Sequence, residues 1–190
     1  MRIIAGQFKG RNLLPPEGKD IRPTSDRTRE AIFNLLMHGH YAGEAVIGCH
    51  VLDVCCGTGA LGLEALSRGA QKVTFIDQDK RSIELAKKNA LHCGVTQAAF
   101  FVQADASRLP AARDAAQLVL MDAPYATPLL APAYASLLRG GWLAPTALLV
   151  AEQERSMPAP VLDGAALVDE RQYGKAKVLI YQRLESDALE

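Results

Sequence analysis

One segment constrains this chain more than any other: Val51-Leu52-Asp53-Val54-Cys55-Cys56-Gly57-Thr58-Gly59-Ala60-Leu61-Gly62. A short apolar run breaks at glycine and restarts as an apolar helix. A strand that passes through a tight glycine turn into a helix is the opening move of an α/β fold, and it is how such folds hold nucleotide-like ligands. The rest of the chain continues the alternation. Strand-like runs fall at Val73–Ile76, Ala99–Val102, Leu118–Met121 and Ala147–Ala151. Helical patterns fall at Ala60–Ser67, Lys80–His92 and Pro128–Leu138, closed by Gly69, Gly94 and Gly140. Ala166–Tyr173 and Val178–Arg183 form a terminal pair around Gly174. The pattern predicts a mostly parallel sheet flanked by helices, with an antiparallel strand near the end.

The N-terminal part has a different character. Gly6, Gly10, Pro15, Pro16, Gly18 and Pro23 punctuate it as a hairpin or irregular arm. Pro23-Thr24-Ser25-Asp26 then reads as a helix start, followed by Ala31, Ile32, Leu35 and Leu36 at helical spacing. We divide the chain into an arm and helix over residues 1–43 and a main domain over residues 44–190.

Composition narrows the class. With 190 residues, 49% hydrophobic and 22% charged, the chain reads as one globular domain with a small appendage. No run approaches the length of a membrane span, and the start lacks the apolar core of a signal peptide. Cys49, Cys55, Cys56 and Cys93 have no metal-ligand spacing, so no metal is expected; they read as reduced packing residues of a cytoplasmic protein. Net charge is zero, but residues 1–29 carry seven Lys/Arg against three acids. Arg11, Arg22, Arg27 and Arg29 are the candidate phosphate contacts in this basic stretch. A solvated mixed-charge extension would have the same composition.

Gly57-x-Gly59-x-x-Gly62, with Asp77 twenty residues after Gly57, satisfies the dinucleotide fingerprint. The glycines allow a sharp turn and a close approach to ligand, and Asp77 can take two ribose hydroxyls. The same physics serves a nicotinamide cofactor and S-adenosylmethionine. Asp53 tilts the choice: a carboxylate beside the turn repels a pyrophosphate but attracts a cationic amino acid, directly or through water. Asp105, after the third strand, can reach an adenine amino group, and Gln78 and Ala106 complete the expected cofactor contacts.

Asp122-Ala123-Pro124-Tyr125 supplies the second half. An exocyclic base amine is a weak nucleophile, because its lone pair is delocalised into the ring. Asp122 and the Ala123 carbonyl can accept its two hydrogens, Pro124 holds Ala123 extended, and Tyr125 offers a face for the base. An Asp-x-Pro turn is common, and it gains meaning by ending a strand on the glycine turn's edge of the sheet. Together the segments point to methyl transfer from S-adenosylmethionine onto a base nitrogen.

The start Arg2-Ile3-Ile4-Ala5-Gly6, with Lys9-Gly10-Arg11, Arg22-Pro23-Thr24 and Asp26-Arg27-x-Arg29-Glu30-Ala31-x-Phe33-Asn34, resembles the RsmD family. These are bacterial methyltransferases acting on guanine N2 of 16S ribosomal RNA. Leu66-Ser67-Arg68-Gly69-Ala70 and Tyr173-Gly174-Lys175 resemble the same family. The resemblance implies a class I S-adenosylmethionine-dependent methyltransferase fold: α/β, Rossmann-like, seven strands with the last antiparallel, plus an N-terminal extension that helps hold RNA. It implies a monomer acting on the 16S RNA of the small ribosomal subunit, with no membrane and no metal. It also implies that Asp122 is the catalytic carboxylate and Tyr125 the stacking ring. Ala123 stands where the family usually has proline, and Cys55-Cys56 where small or aromatic residues are more usual.

Other functions share parts of this pattern. An NAD-dependent oxidoreductase would use the glycine fingerprint, a DNA adenine, other RNA guanine or protein amide methyltransferase would use the four-residue turn, and an RNA-binding assembly factor could keep the scaffold without the chemistry.

Overall fold

A computed structural model describes residues 1–16, 26–38, 45–123 and 128–185. Seven strands form one sheet: β1 (His50–Val54), β2 (Lys72–Asp77), β3 (Ala99–Gln103), β4 (Ala116–Asp122), β5 (Leu143–Glu154), β6 (Ala165–Tyr173) and β7 (Ala176–Arg183). Their order is β3-β2-β1-β4-β5-β7-β6. β1 to β5 run parallel, and β7, the last strand, pairs antiparallel with both β5 and β6. This is the expected fold. The strands outrun the sequence-based ranges by a few residues, most at β5, because backbone pairing continues past the apolar stretch, whereas the helix expected from Pro128 begins at Leu130.

The described residues form four α-helices, α1 (Asp26–His38), α2 (Ala60–Ser67), α3 (Lys80–His92) and α4 (Leu130–Arg139). None of the described helices is long and apolar enough to cross a membrane. The Pro23–Ser25 part of the predicted helix start lies outside the described residues. α3 is capped by Asp79, whose side chain accepts from Arg81 N, and it buries Ile83, Ala86 and Ala90. α2 is buried along its whole length, including Glu64.

Side chains alternate across the sheet, so each strand feeds two cores. Val51, Phe75, Leu118, Leu120 and Val150 face one side, and Leu52, Ile76, Val119, Met121 and Leu149 face the other. The first core also contains Ile3, Phe8 and Leu13 of the arm and Ile32, Phe33 and Leu36 of α1. Each such side chain contributes about 1.5–3 kcal/mol by leaving water, so the described arm is part of the main core rather than a loose tether. It closes as a hairpin, with Ile3 N donating to Arg11 O and Gly10 N to Ile3 O, both at 2.9 Å.

Candidate active site

Parallel strands bring their C-terminal ends to one edge, and four carboxylates collect there. Asp53 is next to last in β1, Asp77 closes β2, Asp105 follows β3 and Asp122 closes β4. β1 lies between β2 and β4. From it the chain winds one way to β2 and β3 and the other way to β4 and β5, which makes the turn after β1 the switch point where open α/β sheets take ligands. Residues 51, 75 and 120 point into the arm-side core. By alternation Asp53, Asp77 and Asp122 occupy that same face.

The glycine turn is built by local bonds. Cys55 and Gly57 take left-handed φ values of 60° and 51°. Cys56 N donates to Ile76 O at 3.0 Å, and Gly59 N to Cys56 O at 2.7 Å. Asp77 braces the turn: its Oδ2 accepts from Gly57 N at 3.0 Å and its Oδ1 from Asp79 N at 2.9 Å. A Cβ built on Gly57 would meet nothing within 4 Å. The space above it is open, as a closely approaching ligand requires. Gly62 has the opposite role, because a Cβ there would lie 2.5 Å from Phe75 Cε1. It lets α2 settle on β2.

Asp53 is 1% exposed, and its Oδ2 accepts from Gly62 N at 2.8 Å. Burial raises its carboxyl well above the usual aspartate value; the Gly62 N–H pulls it down, while Asp122 and Asp77 push it up. Closed from water, Asp53 holds the start of α2. The Cys55 thiol sits among the same carboxylates. Burial, with Asp77, Asp53, Asp122 and Asp105 adding to it, pushes the thiol up to about 12. Such an edge attracts a sulfonium or an ammonium and repels a pyrophosphate. The residues therefore fit S-adenosylmethionine better than a dinucleotide.

The remaining predicted cofactor residues are adjacent. Asp105 is exposed and caps the 3-10 turn Ala106–Arg108, with its Oδ1 accepting from Ser107 N and Ser107 Oγ, both at 2.8 Å. These bonds hold its carboxyl below the usual range. Ala106, the next residue, is buried in the second core. Gln78 is exposed beside Asp77, and its carbonyl accepts from Gln103 Nε2 at 3.5 Å. Asp122 and Ala123 are half-buried at the end of β4. Pro124 and Tyr125 lie outside the described residues.

The basic candidates separate. Arg27 is exposed on α1. Arg11 is exposed too, although its Nη1 donates to Cys93 O at 2.7 Å and its guanidinium sits 5.0 Å from the centre of the Phe8 ring. Arg22 lies outside the described residues. Arg29 overturns the expectation placed on it. It is 0% exposed, donates to Arg2 O at 2.6 Å and Asp26 Oδ1 at 2.9 Å, and lies 3.9 Å from Glu64 Oε2. A guanidinium sealed from water cannot meet a phosphate. Arg29 braces the arm.

Sequence reasoning missed what holds the arm to α2 and α3. Buried Glu64 accepts from Ile4 N at 2.8 Å, Ala5 N at 3.0 Å and Arg68 Nε at 2.8 Å. Ser67 Oγ accepts from Phe8 N, and buried Asn89 joins Leu14 to Thr58. The only trace in the sequence is a lone acid inside the apolar helix Ala60–Ser67. Among the described residues no three His, Cys, Asp or Glu side chains gather as a metal site.

Known proteins match this chain over nearly its whole length. The family model described as "Conserved hypothetical protein 95" matches residues 1–182. A Haemophilus influenzae protein named "Ribosomal RNA small subunit methyltransferase D" is 36% identical over 186 residues, covering 96% of this chain and 93% of that protein. The solved Escherichia coli protein yhhF is 33% identical, with a TM-score of 0.82 and coverage of 98% and 99% of the two chains. An RNA methyltransferase from Salinibacter ruber, solved in complex with S-adenosyl-L-homocysteine, shares the fold at 17% identity, with a TM-score of 0.65 over 89% of this chain and 98% of that one.

Proposed function

The chain belongs to the conserved hypothetical protein 95 family, the RsmD family, and on that premise we propose that it methylates the exocyclic N2 of a guanine in 16S ribosomal RNA, using S-adenosylmethionine. The observation that carries the proposal is the convergence of Asp77 with its glycine turn and Asp122 on one edge and one face of the sheet. Cofactor and acceptor sites would then be neighbours.

In this mechanism Asp77 takes the ribose hydroxyls, while Asp105, Ala106 and Gln78 border the adenine. The bound cofactor supplies a methyl group on a positively charged sulfur. Asp122 and the Ala123 carbonyl each accept a hydrogen from the guanine amine. That fixes the nitrogen in line with the methyl and favours the pyramidal geometry in which its lone pair is available. Tyr125 stacks on the base, worth about 1–3 kcal/mol. When held there, the cofactor would give up that methyl to the guanine nitrogen and keep the C–S electron pair on its sulfur. The surplus proton on nitrogen passes through Asp122 to water, so no strong base is needed. Arg11, Arg22 and Arg27 are assigned to backbone phosphates. The proposal includes a monomer acting in the cytoplasm on the small subunit, with residues 1–43 as the RNA-contacting unit and residues 44–190 as the catalytic one.

The test is nucleoside mass spectrometry of 16S ribosomal RNA from a strain lacking this gene. Loss of N2-methylguanosine, restored by the gene, is expected. An unchanged nucleoside profile would contradict the proposal.

A further inference from the structure

Asn89 lies in the last turn of α3, is 0% exposed and belongs to neither the cofactor site nor the acceptor turn. Its side chain has one acceptor oxygen and two N–H donors, and all are engaged. Oδ1 accepts from Leu14 N at 2.8 Å, and Nδ2 donates to Thr58 O at 2.9 Å and to Leu14 O at 3.3 Å. Thr58 is the residue between Gly57 and Gly59, and Leu14 is on the arm. One buried amide therefore ties the glycine turn to the arm, between segments distant in sequence. Four residues on, the carbonyl of Cys93, which caps α3, accepts from Arg11 Nη1, so the C-terminal end of α3 holds the arm at two points.

We propose that Asn89 is a positioning residue that couples cofactor occupancy to order in the RNA-contacting arm. The inference rests on the reading of the glycine turn as the S-adenosylmethionine site. A ligand that fixes the turn also fixes the Thr58 carbonyl, and through Asn89 it narrows the positions open to Leu14 and to the hairpin behind it. Binding energy at one site is thereby felt at the other. Linkage makes the effect reciprocal, on the usual scale of about 5–150-fold. Asparagine is the residue this task requires. Aspartate of the same shape would still accept from Leu14 N, but it would set an oxygen against two carbonyls and break the tie.

Amide hydrogen exchange on the full chain, with and without S-adenosylhomocysteine, tests this. The informative amides are Ile3, Gly10 and Leu13, which bond within the hairpin to Arg11 O, Ile3 O and Met1 O and not to Asn89. In the wild type the ligand should slow their exchange about tenfold, within that coupling range. In Asn89→Asp it should still protect Gly57 and Gly62 but leave the three arm amides unchanged. Ligand binding without arm protection in the wild type would overturn the coupling, whatever the variant does. Arm protection that persists in Asn89→Asp would overturn the role of Asn89. No binding of S-adenosylhomocysteine to the wild type, measured by calorimetry, would contradict the cofactor assignment itself and this inference with it.

Discussion

The Asp77 carboxylate accepts the Gly57 backbone N–H at 3.0 Å, so the acid assigned to the ribose also shapes the turn that approaches the ligand. Asp77→Ala should therefore weaken S-adenosylmethionine binding by about 1.5–3 kcal/mol, the scale of hydrogen bonds to a charged group. Asp77→Asn, whose amide oxygen can still accept from Gly57, should lose less. Calorimetry separates them; equal affinity for both variants and the wild type would make Asp77 a bystander.

Gly57 and Gly62 should fail in different ways when changed to alanine. At Gly62 the new methyl collides with Phe75 and Val73, and overpacking of this kind costs about 1–3 kcal/mol of stability. At Gly57 there is room, so the stability cost is that of a left-handed alanine, about 1–2 kcal/mol, while the methyl occupies space meant for ligand. Thermal melts should show both losses. Cofactor binding should collapse only for Gly57→Ala.

The two arginines of α1 should also part company. Arg29→Ala removes one member of a buried ion pair from Glu64, and such changes cost about 3–5 kcal/mol. The Arg68 and backbone donors that remain on Glu64 set the expectation at the lower end. Arg27→Ala should leave the melting temperature alone and weaken RNA binding, lowering the slope of log K against log salt by about 0.7–0.9 for one phosphate no longer neutralised. Titrations at several salt concentrations, beside a melt, would check both. A stable Arg29→Ala would remove the bracing role.

The contrast between these arginines shows what the sequence can and cannot reveal. Gly57, Gly59, Gly62, Asp77 and the strand ends are legible because local chemistry dictates them: a turn needs glycine, and parallel strands must send their ends to one edge. Arg29 and Arg27 are the same residue type two positions apart, and long-range partners, the Arg2 carbonyl and Glu64, meet the one that is buried. Glu64 and Asn89 are illegible for the same reason. A polar side chain inside the core is explained by groups about 30 to 75 residues away, which no local pattern names. The left-handed Cys55 is likewise set by the turn rather than by cysteine.

Asp53 predicts a pH dependence. Its carboxyl is raised in the folded protein by burial and by Asp122 and Asp77. A raised acid stabilises the fold fully below the ordinary aspartate value, and that contribution is lost as pH rises through the raised one. At neutral pH folding therefore carries a cost, either of burying the charge or of taking up a proton, which Asp53→Asn removes while its amide oxygen still accepts from Gly62 N. The variant should melt higher than the wild type at pH 7.5, by about 2–4 °C for each 1 kcal/mol recovered, and the gap should close as pH falls toward 4. A gap that widens on acidification would contradict the assignment.

The proposed mechanism turns on Asp122 gripping the acceptor amine rather than the cofactor. Single-turnover methylation of undermethylated small subunits, run beside cofactor calorimetry, separates the two roles. Asp122→Ala should bind S-adenosylmethionine like the wild type yet transfer methyl about 10²–10³-fold more slowly, the scale of removing one preorganised charge-stabilising group. Asp122→Asn should fall between, since its amide oxygen still accepts a hydrogen bond. Wild-type turnover by Asp122→Ala, or a reduced rate traced wholly to cofactor affinity, would contradict the mechanism.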